Sequence, residues 1–174
     1  MYATLIKIFS KFFTKQQLFK YGFNISPMYR RTTAKIESVS DDLTEIKIKI
    51  PKSYKNLNYA KTIFGGSMFS ATDPIFMVQL VELLGPNYII WDKSSTINFK
   101  KPAVSDAYSV FTFSHDEIKE IKKSVNNQKK MDIIKTVHIT NIDGSVVFAE
   151  VSKKIYIADK EYYLNKKVEI NNKA

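Results

Sequence analysis

Apolar and polar positions along the chain fall into stretches of different period. Leu5, Ile8, Phe9, Phe12 and Phe19 recur at helical spacing, with Lys7, Lys11 and Lys15 on another face, which predicts a basic amphipathic helix within residues 1–23. Asn24-Ile-Ser-Pro27 closes it, because proline disfavours helix in the residue before it. The period then drops to two. Ala34, Ile36 and Ser38 alternate with Lys35, Glu37 and Val39. After a Ser40-Asp41-Asp42 turn signal, Ile46, Ile48 and Ile50 alternate with Glu45, Lys47 and Lys49. These are two strands joined as a hairpin, the second half-buried, and Pro51 ends it.

A polar, tyrosine-bearing loop over 52–62 leads to the only Gly-Gly pair, Gly65-Gly66. From Ser67 to Leu84 apolar residues cover almost every face, so this stretch predicts a helix buried all round, stopped by Gly85-Pro86-Asn87. Strands are predicted over 88–99, 107–113, 131–142 and 145–157, the last two joined by an Asp143-Gly144 turn. Ile118, Ile121 and Val125 mark a short solvated helix over 115–127. A long buried helix needs something wrapped around it, and an antiparallel sheet curled about it satisfies both, giving an α+β fold. The division is an amphipathic helical segment 1–26, an α+β domain 27–158 and a polar tail 159–174, expected to fray.

Asp73-Pro74 interrupts the apolar run and has two readings. Asp73 is an N-cap and Pro74 the first helical residue, the commonest use of such a pair. Otherwise the helix starts near Ser67 and kinks at Pro74, leaving the Ser70 carbonyl free beside Asp73. Among Phe69, Ala71, Ile75 and Phe76 the Asp73 carboxylate reads as buried, so replacing it by asparagine is expected to leave stability unchanged or raise it. Two adjacent glycines allow a close backbone approach, and a helix starting after them aims free N–H groups at the gap.

Composition removes several chemistries. With no cysteine there is no disulfide, thiolate nucleophile or thiolate metal site. His115 and His138 are far apart without helical His-x-x-x-His spacing, so no zinc site is expected, and no cofactor is called for. The net charge of +10 favours anionic partners, yet the lysines are dispersed and no nucleic-acid signature occurs, so no nucleic acid is expected. Lysines interrupt the apolar face of the N-terminal helix, which excludes a signal-peptide core or a membrane span. That helix either lies on an anionic membrane surface or docks on the domain's own sheet. A cytoplasmic location follows by default.

These elements resemble the hotdog fold of acyl-CoA thioesterases and dehydratases. In one thioesterase type, an Asn precedes His-Gly-Gly by five residues, and an Asp on the central helix lies nine after that His. Here Asn58 precedes Phe64-Gly65-Gly66 by the matching spacing, and Asp73 lies nine after Phe64. Thr96-Ile-Asn-Phe-Lys-Lys-Pro102 is similar to the hotdog strand that ends in an aromatic, a basic residue and proline. Pro27-Met-Tyr-Arg-Arg, Thr62-Ile-Phe-Gly-Gly-Ser, Thr72-Asp-Pro and Ile90-Trp-Asp-Lys resemble a bacterial hotdog family, domain of unknown function 4442. The likeness runs from about Pro27 to Ile157. The motif histidine is Phe64 here, which cannot donate a hydrogen bond; losing an oxyanion donor costs ~2.7–4 kcal/mol.

The resemblance implies an acyl-CoA thioesterase. The thioester carbonyl would meet the Gly65 and Gly66 amides, Asp73 would act as base or nucleophile, and Asn58 would orient water or carbonyl. Phe64, Ser67, Lys100 and Lys101 would bind substrate, the lysines facing nucleotide phosphates or simply solvent. The alternative is a non-catalytic acyl or lipid binder, favoured by Phe64. A dehydratase is disfavoured, because no histidine lies near. The resemblance also implies a homodimer with the site between subunits.

Overall fold

The computed structural model describes residues 13–171, with side chains to 168. Leu5, Ile8, Phe9 and Phe12 of the N-terminal pattern lie outside the described residues. The helix that follows, α1 (Lys15–Ile25), begins with a capping box between Thr14 and Gln17. It packs on β1 (Lys35–Val39). Phe19 is buried and stacks on Phe23 at 4.8 Å, and Phe23 meets Tyr29 edge-on at 5.0 Å. The Asn24 side chain donates to the Ile36 carbonyl (3.0 Å) and accepts from the Ile36 amide (2.8 Å), taking the place of a neighbouring strand. Lys20 Nζ donates to the Glu37 carbonyl at 2.6 Å. Since β1 is one edge of the sheet, α1 covers backbone groups that would otherwise be open to another strand.

A short α2 (Pro27–Arg30) places Tyr29 in the core, where its hydroxyl donates to the Ala71 carbonyl at 3.1 Å. Burial pushes that phenol far above its ordinary range. The remaining elements are β2 (Glu45–Ile50), α3 (Gly65–Thr72), α4 (Ile75–Leu84), β3 (Tyr88–Phe99), β4 (Ala107–Thr112), α5 (His115–Gln128), β5 (Lys130–Thr140), β6 (Val147–Asp159) and α6 (Lys160–Asn171). Six strands form one antiparallel sheet in the order β1-β2-β4-β5-β6-β3. β4 and β5 pair only at Tyr108 and Thr140, so the sheet bends between two well-zipped halves.

The inner face carries Ile46, Ile48 and Phe111 from one half and Val151, Ile155 and Ile157 from the other, all buried. Met68, Ala71, Ile75, Phe76 and Leu80 of α3 and α4 fill the concavity, with Phe76 edge-on to Phe111 at 4.8 Å. Two polar side chains tie this helical layer to opposite halves of the sheet. Gln79 donates to the Leu43 and Thr44 carbonyls beside β2, and Lys153 of β6 donates to Asp73. These bonds hold the helical layer against both halves of the curled sheet.

The expected long central helix is two helices. Asp73 ends α3, its amide bonded to the Phe69 carbonyl at 3.0 Å, and the Val78 amide bonds the Pro74 carbonyl at 3.1 Å. Of the two readings of Asp73-Pro74, the interrupted helix is the one formed. Pro74 has no N–H for the Ser70 carbonyl, and the chain turns a corner there. Nor is the run buried all round: Val81 and Glu82 face solvent. The polar tail, expected to fray, forms α6, because Asp159 accepts from the Tyr162 amide at 2.9 Å and Tyr163 packs on Tyr156.

Asn24→Ala would leave both backbone groups of buried Ile36 unpaired. It is expected to lower unfolding stability by about 2 kcal/mol, read from urea denaturation.

Candidate functional site

The loop before α3 is built on Asn56. Its buried side chain donates to Thr33 Oγ1 (2.7 Å) and the Pro51 carbonyl (2.9 Å) and accepts from the Ser53 amide. The Asn56 carbonyl accepts from the Phe64 amide at 2.7 Å, and the Ile63 amide bonds Ala103 at 3.0 Å. Phe64 therefore arrives extended (φ −61°, ψ 129°) as the residue capping α3, and its side chain supplies no capping bond. The N–H groups of Gly65 and Gly66 consequently have no protein acceptor among the described residues.

Each glycine lies close under an aromatic ring. A Cβ on Gly65 would lie 2.6 Å from Phe99 Cζ, and one on Gly66 would collide with the Phe64 ring. Phe64 and Phe99 are both more than half exposed, so the two amides sit between two apolar rings at the surface. Phe64, Gly66, Ser67 and Ser70 line a cleft of about 590 Å³ that continues to Asp73 and Pro74 at the helix break. Met28 and Arg31 close its other side, and the Arg31 guanidinium makes no ion pair among the described residues.

Asp73 is not the buried carboxylate expected from its apolar neighbours. Its side chain is 53% exposed, because the corner at Pro74 turns it outward into the cleft. What is buried is its partner. Lys153, 1% exposed, extends inward from β6 and donates to Asp73 Oδ1 at 2.9 Å, to the Asp73 carbonyl, and to Asp92 Oδ2 at 2.5 Å. These three bonds use all three ammonium protons. Asp92 comes from β3, where a bulge between Asp92 and Ser94 lets Asp92 and Ser95 both face inward. Asp92 Oδ1 and Ser95 Oγ are buried and make no hydrogen bond among the described residues.

Phe64, Gly66, Ser67 and Asp73 thus meet in one cleft, with Gly65 adjoining under Phe99. Lys100 follows Phe99 at the strand end and is exposed, its amide bonded to the Phe148 carbonyl at 2.8 Å. Lys101 turns to a separate hollow beside Pro102 and Phe148. Asn58 is engaged in its own loop: its side chain donates to Thr62 Oγ1 and accepts from the Ala60 and Thr62 amides, and it does not line the cleft. Sequence reasoning missed Lys153, Asp92 and Arg31. A signal for Lys153 existed, since it shares a strand face with Val151, Ile155 and Ile157, where a solvated lysine has no place.

Among the described residues no group of three or more His, Asp or Glu side chains could hold a metal ion, and no helix is long and apolar enough to cross a membrane. Asp73→Asn keeps an acceptor for Lys153 but loses the charge, and is expected to lower stability by ~1 kcal/mol in thermal melts, a small loss in place of the gain that a buried carboxylate would imply.

The profile of a family described as Domain of unknown function (DUF4442) matches residues 15–157, from the start of α1 to near the end of β6. Among solved structures, a Pseudomonas aeruginosa protein of unknown function and probable thioesterase is similar at 15% identity and TM-score 0.72, over 82% of this chain and 94% of that one. A Chlorobaculum tepidum protein of unknown function is similar at 14% identity and TM-score 0.66, over 81% and 92%. A Haemophilus influenzae thioesterase is similar at 8% identity and TM-score 0.59, over 81% and 88%. At such identities the likeness establishes the fold alone, the hotdog fold. A search of curated proteins gives no match.

Proposed function

The chain belongs to the DUF4442 family, and on that premise we propose that it is a hydrolase of acyl thioesters, acyl-CoA or a related carrier-bound acyl group. The observation that carries this reading is the pairing, in one cleft, of the free Gly66 amide at the start of α3, with that of Gly65 next to it, and a carboxylate held by one oxygen at its end. The thioester carbonyl oxygen would accept from the Gly65 and Gly66 amides, where the helix terminus also stabilises developing negative charge. Asp73 Oδ2, which makes no hydrogen bond among the described residues, would take a proton from water as it attacks the carbonyl carbon. The C–S bond then breaks, and the departing thiolate recovers that proton from Asp73. Phe64 contributes an apolar wall but no donor. Lys100 and Arg31 offer cationic contacts to phosphates of the carrier.

A homodimer belongs to the same proposal. β3 is the second edge of the sheet; it is long, and Trp91 and Phe99 on it are exposed, so an unpaired edge of this kind favours pairing with a second copy. Light scattering at micromolar concentration is expected to give twice the chain mass of 20.1 kDa; a monomer would count against a site shared between subunits.

The second reading, an acyl or lipid binder without turnover, is favoured by Phe64, an exposed ring where a donor would assist catalysis. Thiol release from aryl, short and medium acyl-CoAs separates the two. Hydrolysis by the native protein and a fall of ~10²-fold in Asp73→Asn support the hydrolase. Equal rates would remove Asp73 from the chemistry, and binding of acyl-CoA without thiol release would support the binder.

A further inference from the structure

We infer that Lys153 is the positioning residue of this site: its buried ammonium fixes one oxygen of Asp73 and the end of α3, so that the other oxygen faces the cleft. The inference rests on the reading of Asp73 as the base. Asp92 alone can neutralise Lys153. It lies on the neighbouring strand, opposite Ile155, 2.5 Å from the ammonium, and only 26% exposed. A purely structural lysine needs nothing more than this pair and a third acceptor. Instead the ammonium takes Asp73 twice, through the Oδ1 carboxylate oxygen and through the main-chain carbonyl. That chelate holds main chain and side chain of Asp73 in one relation. The carboxylate so held lies at the only corner in the helical layer, with Pro74 beyond it and the cleft before it.

The electrostatics point the same way. One ammonium between two carboxylates leaves an excess negative charge, and Asp73, the more exposed of the two, is where that charge meets substrate. Lys135 shows what a structural solution looks like. It stands directly opposite Lys153 in the register and is also directed inward, yet it is satisfied by Glu117 alone, at 2.9 and 3.0 Å, and by the face of Phe113. A base displaced by about 1 Å can lose about 10²-fold in rate, so a lysine that fixes the carboxylate acts on turnover through Asp73 without touching substrate.

Lys153→Met alone strands Asp92 in the interior and can unfold the protein, so the variant to make is Lys153→Met with Asp92→Asn, which removes both charges together. It is expected to remain folded by circular dichroism. Its crystal structure is expected to show the Asp73 carboxylate released from its present rotamer; a carboxylate unmoved there would overturn the inference whether or not the protein turns anything over. In thiol-release assays kcat is expected to fall at least 10-fold with KM within threefold. Asp73→Asn added to this background is expected to cost far less than its ~10² in the native background, because the two act as one unit. Full additivity, native kcat in the double variant, or an equal loss in Asp92→Asn alone would each overturn the role of Lys153. No thiol release by the native protein is a different failure: it defeats the hydrolase reading and leaves the crystallographic arm to decide whether Lys153 positions Asp73.

Discussion

One buried ammonium holds the candidate site together. Lys153 crosses from the inner face of β6 to the corner between α3 and α4, and meets β3 on the way through Asp92. Three elements distant in sequence are therefore fixed by one side chain. A charge so deep is tolerated because every proton is used and two carboxylates face it; removing the ammonium alone, which strands the less exposed Asp92, is the costly change, about 3–5 kcal/mol. The proline that breaks the helix makes the arrangement possible. Without the corner at Pro74, Asp73 would continue a straight helix instead of turning its carboxylate toward both Lys153 and the cleft.

The opposite end of α3 is governed by space rather than charge. Phe99 and Phe64 lie so close to Gly65 and Gly66 that a side chain at either position would have to push an exposed ring aside. Asn56 sets the height of this turn by taking the Phe64 amide. Amides at one end of a two-turn helix and a carboxylate at the other give the cleft opposite polarity at its two ends. Such a cleft suits a carbonyl that must gain negative charge while water loses a proton.

Much of the fold was legible in the sequence. The two periods located the six strands and α5, since alternation such as Ile46, Ile48 and Ile50 has no other use, and the resemblance to family 4442 agrees with the profile match. Phe64, Gly66 and Asp73 line one cleft. The errors have physical causes. Hydropathy saw apolar neighbours around Asp73 but not the corner that exposes it. Spacing singled out Asn58, whereas the loop is organised by Asn56, two residues earlier and buried. Lys153 does not stand out among the many lysines, because net charge does not distinguish a solvated ammonium from one turned inward. α6 escaped notice because its N-terminal cap, Asp159, is the last residue of β6.

The proposed chemistry requires the Gly65-Gly66 amides and Asp73 to act on one carbonyl. A crystal structure with an acyl-CoA analogue whose thioester sulfur is replaced by CH2, keeping the carbonyl, tests it most directly. The carbonyl oxygen is expected within hydrogen-bond distance of the Gly65 or Gly66 amide, with a water between its carbon and Asp73 Oδ2. An analogue whose carbonyl lies elsewhere, for instance in the hollow beside Lys101 and Phe148, would contradict it.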